Sequence, residues 1–337
     1  MNRMKVLYVD LEFDYGVKSR GLNVIGQLGF VRAFKDLGYQ LDSFYYDDYL
    51  TSNQSLLQED LIKKALEFKP DLIFFNLFGD QFSFDTLDKL KKDFTTICWF
   101  GDDTWRFDSF SSHYAPHFSY IITTDKWSAH KYYHLLPQER VIVSQWASMP
   151  FQLGDSSTRD EFEFDVSFIG GAHDERKWFV KQLQKSGISV SCFGHGWKNG
   201  SISNERMSQV FRSSKISLNL SNSRSMDIRF LASSLKSLYR GWKSAKTASQ
   251  IKARNFEIPF CGGFQITDYA PGIEDYFEIG KEIVCFKDVD EAIWLIKHYL
   301  KFDNERELIR SKSIDRVRSM HTYKNRVEDI MKRIEWN

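Results

Sequence analysis

Cysteine is scarce in this chain of 337 residues, and the four present, Cys98, Cys192, Cys261 and Cys285, form no C-x-x-C pair. A disulfide framework and a zinc knuckle are both excluded on that count, and the thiols read as buried groups in a reducing compartment. Net charge is scarce as well. Lys plus Arg number 46 against 45 Asp plus Glu, a formal charge of +1, so no whole-molecule field calls for nucleic acid and any anionic ligand must be caught locally. No run approaches the ~20 apolar residues that span a bilayer. The opening MNRMKVLYVD enters a strand-like run at once, without a charged-then-apolar leader, so the protein is expected in the cytoplasm. Two phosphate-binding signatures are missing too. Gly21, Gly26 and Gly29 are spaced G-x4-G-x2-G, which is neither the dinucleotide fingerprint nor the P-loop. A nicotinamide dehydrogenase and a P-loop NTPase both lose ground.

What is present is an apolar fraction of 42% and an aromatic fraction of 16%, enough for two domains with ring-rich cores. Short β-branched and aromatic runs alternate with segments of helical period, the pattern of βα units in a parallel sheet. Strands are predicted over 5–10, 41–47, 71–78, 95–100, 120–124 and 140–146. Between the first two, Val24, Ile25, Leu28, Phe30, Val31, Phe34 and Leu37 fit one helix face that Gly38 closes. The stretch from Phe151 to Phe162 turns polar and Gly/Ser-rich and reads as a linker. The pattern then repeats, with strands over 165–171, 189–194, 216–221, 264–268 and 282–288. Helices such as DERKWFVKQLQKSG and DEAIWLIKHYL lie between them. The tail from about Asp303 to Trp336 is helical and charged.

The segment from 251 to 277 carries the strongest chemical signal. Lys252, Arg254 and Glu257 precede a Cys-Gly-Gly turn and the strand FQITD. A carboxylate can accept two vicinal ribose hydroxyls, a basic pair can balance a diphosphate, and Gly262 with Gly263 lets a ligand approach the backbone. A capped helix with a glycine stop would read the same way. RNFEIPFCGGFQITDYAPGIEDYFEIGKEIVCFKDVDE resembles the donor-binding segment of GT-B glycosyltransferases, in particular the CgeB-like group with a "glycosyl transferases group 1" domain. DVSFIGG with Arg176 after it and HTYKNRVEDIM resemble the start of that family's second domain and its closing helix. PDLIFFNLFGD, CWFGDDTWRFDSF and SQWASMP extend the likeness more loosely into the first half.

The resemblance implies an α/β fold of GT-B type: two Rossmann-like domains facing across a cleft, with the C-terminal helix crossing back. The boundaries are 1–155 for the acceptor domain, 163–315 for the donor-nucleotide domain and 316–337 for the closing helix. It further implies a transferase using a nucleoside-diphosphate sugar as co-substrate, with no cofactor and no bound metal. By position, Glu257 would hold the ribose, Gly262, Gly263 and Phe264 would line the pocket, and Lys252 and Arg254 would meet the diphosphate. Gly170, Gly171 and Arg176 would complete the donor site. Retaining relatives place a second carboxylate eight residues before the ribose glutamate. Ser249 stands there, so retention or inversion stays open.

Three further features remain. Asp102 and Asp103 follow the strand TTICWF, where a carboxylate would face the ligand crevice and serve as base for an acceptor hydroxyl; helix capping and an ion pair to Arg106 are the plain alternative. His113 with His117 and His130 with His134 have helical metal-ligand spacing but no third ligand, and read as surface or packing residues, whereas His195 sits between glycines as a phosphate or sugar contact. Over 222–255 eight Lys and Arg are opposed by Asp227 alone, and Phe230, Leu231, Leu235, Leu238, Tyr239 and Trp242 recur at helical spacing. That is a basic amphipathic helix, fit for a peripheral membrane contact or for docking on its own domain. The expected activity is sugar transfer to a glycan or glycolipid; a sugar-nucleotide epimerase and a non-catalytic binding protein are the rivals.

Overall fold

The computed structural model describes residues 3–50, 53–150, 161–221, 227–244, 246 and 248–336. Two compact units divide the chain. The first comprises Met1–Met149 with Tyr323–Asn337, the second Pro150–Thr322. Most of the linker predicted over 151–162 lies outside the described residues.

Unit 1 is built on six strands, β1 (Lys5–Asp10), β2 (Gln40–Tyr45), β3 (Leu72–Asn76), β4 (Thr95–Phe100), β5 (Tyr120–Thr123) and β6 (Val141–Val143), in the order β2-β1-β3-β4-β5-β6. All pairings are parallel. Every strand predicted for this half is found. The cause is burial on both faces: Val6, Leu7, Tyr8 and Val9 are wholly inaccessible, as expected of a parallel strand covered by helices on either side. Helix α1 is π-wound over Ile25–Val31 and α-helical over Arg32–Asp36, and Gly38 ends it with φ +84°. α2 (Gln54–Phe68), α3 (Phe84–Asp93) and α4 (Lys126–Tyr132) follow.

The spacing of Gly26 and Gly29 has a packing cause. A Cβ at Gly26 would lie 2.7 Å from Asp10 Oδ2, and one at Gly29 would lie 3.0 Å from the Tyr323 ring. The two glycines therefore seat α1 directly over a buried carboxyl and over the closing helix of the chain.

Unit 2 has five parallel strands, β7 (Phe164–Ile169), β8 (Val190–Phe193), β9 (Ser214–Asn219), β10 (Gln265–Asp268) and β11 (Val284–Phe286), ordered β11-β10-β9-β7-β8. All five were legible as apolar runs. Its helices are α5 (Asp174–Lys185), α6 (Asn204–Arg212), α7 (Leu235–Lys243), α8 (Arg254–Phe260), α9 (Val289–Lys301) and α10 (Asp303–Met320). Val166, Phe168, Ile216, Leu218, Phe264 and Ile266 form the centre of its core, each worth roughly 1.5–3 kcal/mol relative to exposure. The charged tail parts company at His321. Arg310 and Arg318 of α10 donate to the carbonyls of Gly262 and Phe260, whereas α11 (Tyr323–Arg333) packs in unit 1, where Arg326 donates to Gln145 O at 3.1 Å.

Candidate functional site

In an open parallel sheet the strand order reverses at one point, and the crevice there, outside the carboxyl ends, is where ligands bind. In unit 2 that point falls between β7 and β9. Arg176, in the first turn of α5, spans it: Nη1 donates to Gly171 O at 3.2 Å beyond β7, and Nη2 to Leu220 O at 2.6 Å beyond β9. Nε has no hydrogen-bond partner among the described residues. The guanidinium lies 5.4 Å from the Phe168 ring centroid, and burial holds its pKa below the usual arginine range, with Asp268 opposing the fall. Gly170 and Gly171 border the same crevice.

Asp268, at the carboxyl end of β10, accepts from the Ser221 backbone N–H at 2.8 Å, from the Ser221 hydroxyl and, at 3.2 Å, from the Ser249 hydroxyl. Burial raises its pKa against those bonds. The position where retaining relatives carry an acid is thus a serine tied to a neighbouring carboxyl. His173 stands beside the cluster, its pKa lowered by burial and then by Arg176 and Lys246. Asp268, Ser221 and His173 were not singled out by sequence. A lone Asp at a strand end carries no signal, and its partner Ser221 lies 47 residues away.

The second predicted cluster forms around α8. Glu257 is 6% exposed and pairs with Arg254 at 2.7 Å, whose guanidinium also lies 5.4 Å from the Phe211 ring centroid. The pair partly neutralises itself, so Arg254 is less open to a diphosphate than its sequence position implies. Lys252 caps the helix start through its backbone N–H, which donates to Asn255 Oδ1 at 3.0 Å. Gly262 turns with φ +93°. Two expectations need correction. Phe264 is 1% exposed and packs 5.0 Å from the Tyr299 ring centroid in the core, so its side chain cannot line a ligand pocket. A Cβ at Gly263 would come within 2.9 Å of Ile258 Cγ2 and 3.1 Å of Phe211 O. That glycine serves close packing of α8 on α6, and not the approach of a ligand.

His195 is exposed in the turn after β8. Its carbonyl accepts from Ala172 N at 2.9 Å, and Gly194, with φ +121°, lets the turn pass close to Gly170. The arrangement brings His195 to the Gly170–Gly171 rim without burying its ring.

In unit 1 the order reverses between β1 and β3, and the polar group found there is Asp10. It is 3% exposed and accepts from Tyr8 Oη at 2.6 Å, Asn76 Nδ2 at 3.0 Å, Asn23 Nδ2 at 3.0 Å and its neighbour Leu11 N at 2.7 Å. Burial pushes its pKa up to about 7 against these donors. Asp102 and Asp103 divide. Asp102 ends β4's loop half-buried, its carbonyl accepting from Trp105 and Arg106 N. Asp103 is 1% exposed, takes the Tyr132 hydroxyl at 2.9 Å and has its pKa raised to about 6 by burial. It is walled in and cannot reach an acceptor hydroxyl, which corrects its assignment as a base. Arg106 pairs with neither: it donates to Phe78 O and lies 4.1 Å from the Phe110 ring centroid. His117 stacks on Phe84 and bonds Asp88, a packing role. Among the described residues no three His, Cys, Asp or Glu are grouped to hold a metal.

Comparison with known proteins completes the site. Residues 176–332 match the family described as glycosyl transferase-like. No curated protein matches the chain in sequence. Among solved structures, sucrose-phosphate synthase from Thermosynechococcus elongatus is similar at 10% identity with 98% of each chain covered and a TM-score of 0.64. HepE from Anabaena, in complex with UDP and glucose, is similar at 11% identity over 98% of this chain and 100% of that one, with a TM-score of 0.62. A mutant of S. aureus TarM, in complex with fondaparinux, alpha-GlcNAc-glycerol and UDP, is similar at 10% identity over 84% and 59%, with a TM-score of 0.55. At such identities these likenesses show the fold, and the family match is confined to residues 176–332. The chain accordingly has the two-sheet α/β fold of GT-B type, and residues 176–332 form its glycosyl transferase-like segment.

Proposed function

We propose that the protein moves a sugar from a nucleoside-diphosphate sugar to a hydroxyl of a glycan or glycolipid, in the manner of the CgeB-like group, at the cytoplasmic side and without a bound metal. The observation that carries this reading is Arg176 stretched across the β7 and β9 ends, with one guanidinium nitrogen unpartnered among the described residues and the Asp268–Ser221–Ser249 cluster beside it. It gives a fixed cation at the sheet's ligand crevice. Negative charge builds on the departing diphosphate in the transition state, and cations already in place stabilise it without reorganisation. Lys252 and Arg254 add to that charge, Glu257 takes the ribose hydroxyls, and Gly170, Gly171, Gly262 and the exposed His195 border the nucleotide sugar. Asp102 is assigned as the base that accepts the acceptor's proton. The solved structures of HepE with UDP and glucose and of TarM with UDP support the choice of donor class. A peripheral membrane contact through 222–255 belongs to the same reading, since a glycolipid acceptor is met there.

The test is a thermal-shift series with UDP, GDP and dTDP sugars, followed by release of nucleoside diphosphate when glycan or glycolipid acceptors are added. A ligand that binds only the native state raises apparent stability. Stabilisation by one nucleotide and acceptor-dependent release are expected. No shift with any nucleotide at saturation would refute the reading. Conversion of the donor without acceptor would instead favour the epimerase, and binding without any turnover the non-catalytic rival.

A further inference from the structure

A helix on the surface of a soluble domain turns its apolar stripe inward. α7 does the opposite. Leu235 is 88% exposed, Leu238 52%, Tyr239 53% and Trp242 73%, and their spacing of three, four and seven residues places them on one face. Ile228, just before α7, is 79% exposed. What holds the segment to unit 2 is small: Ser237 is buried at 5% and Phe230 at 6%, the latter 5.8 Å from the Trp178 ring. Docking of α7 on its own domain through the apolar face, the ordinary expectation for such a sequence, is therefore not what the structure has.

The same nine residues carry Lys236, Arg240 and Lys243 and no acid. Lys243 Nζ stands 4.8 Å from the Tyr239 ring centroid, which sets a cation directly beside the apolar stripe. The nearest acid in sequence, Asp227, is occupied by Arg229 at 2.7 Å. Exposed Leu, Tyr and Trp in a helix whose nine residues include three cations and no acid is the composition that lies in the interface of an anionic bilayer, rings at the headgroup level and cations against the phosphates. A second copy of this chain is a poor occupant. A two-fold interface sets like surfaces face to face, and here it would oppose two sets of cations.

We propose that the exposed face of α7, Leu235, Leu238, Tyr239 and Trp242 with Lys243, docks the protein on an anionic lipid surface. This deepens the transfer reading by naming the surface that presents the acceptor, and its test is separate from nucleotide binding. Flotation with phosphatidylcholine vesicles, with and without phosphatidylglycerol, is the experiment. The wild type is expected to float with the anionic vesicles only, and added salt to release it. The double variant Leu235→Ser with Trp242→Ser should bind more weakly by about tenfold or more. Lys243→Ser should lose about fivefold on anionic vesicles. Both should keep the wild-type melting temperature and nucleotide affinity, since Leu235, Trp242 and Lys243 are all exposed. Wild type that stays with the bottom fraction, or floats equally with both lipids, overturns the proposal. So does a dimer in light scattering that Trp242→Ser dissolves, which would make the face a protein interface. If a variant fails to fold, the wild-type lipid and salt dependence decides alone.

Discussion

Replacing Asp10 by Asn tests the electrostatics of the unit 1 crevice. In the folded protein burial lifts the Asp10 carboxyl from 3.8 to about 7, so the native state holds a proton that the unfolded chain has already lost. The sign follows from linkage: this contribution to stability is full below the unfolded pKa and disappears as pH rises through about 7. The displacement corresponds to roughly 4 kcal/mol. Asn cannot titrate, so the pH-dependent part vanishes. In its place comes a constant penalty. Oδ2 accepts from Tyr8, Asn23 and Asn76 while Oδ1 accepts from Leu11 N, and whichever way the amide is turned its NH2 meets a donor, at about 1–3 kcal/mol. Amide hydrogen exchange at β1 and β3 reads the opening free energy of this region without assuming that both units unfold together. The gap between wild type and Asp10→Asn should favour the wild type at acid pH and narrow by about 4 kcal/mol toward pH ~8. Asp103 and Asp268, also raised by burial, occur in both proteins and cancel in the difference. A gap that stays constant across the range would refute the reasoning.

Glu257→Ala should weaken nucleotide binding by roughly tenfold to a hundredfold in calorimetry, because the ribose acceptor is lost and Arg254 loses its partner; an unchanged dissociation constant would remove the ribose assignment. Gly263→Ala forces a Cβ against Ile258 and the Phe211 carbonyl, and a loss of about 1–3 kcal/mol in unit 2 stability is expected in denaturant melts; a neutral change would contradict the packing role. Asp103→Asn should lower the melting temperature and leave the acceptor KM unaltered, whereas Asp102→Asn should cut kcat by on the order of a hundredfold or more with stability kept. The reverse pattern would reinstate Asp103 as the base.

The strands were readable because a strand buried on both faces needs an uninterrupted apolar run, a local property. Predicted and observed ends of β1 and β4 coincide. What the letters could not show was direction. Asp102 and Asp103 are neighbours, yet the turn into the next helix leaves the first half-buried and the second walled in under Tyr132. Phe264 follows a diglycine that suggested a ligand loop, but β10 begins at the next residue and carries the ring into the core. Likewise the stripe of α7 is visible as periodicity, and only the fold decides which side faces water.

The two crevices are alike in topology and differ in charge, which bears on where an anion would be held. Each lies where strand order reverses, and each has a buried carboxyl close by at a strand end. In unit 1 that carboxyl is surrounded by neutral donors from Tyr8, Asn23 and Asn76, with no cation bonded to it among the described residues. In unit 2 Asp268 has hydroxyl partners and an arginine near enough to feel its charge. A dianionic diphosphate gains from a guanidinium and gains nothing from a carboxyl, protonated or not, so charge favours unit 2 for the proposed nucleotide. A neutral, hydroxyl-rich acceptor has no such preference. Removing the carboxyl while adding a cation, by Asp10→Asn with Asn76→Lys, should therefore bring anions to unit 1, and a chemical shift map with inorganic phosphate that leaves β1 and β3 unmoved would count against charge as the sorting principle.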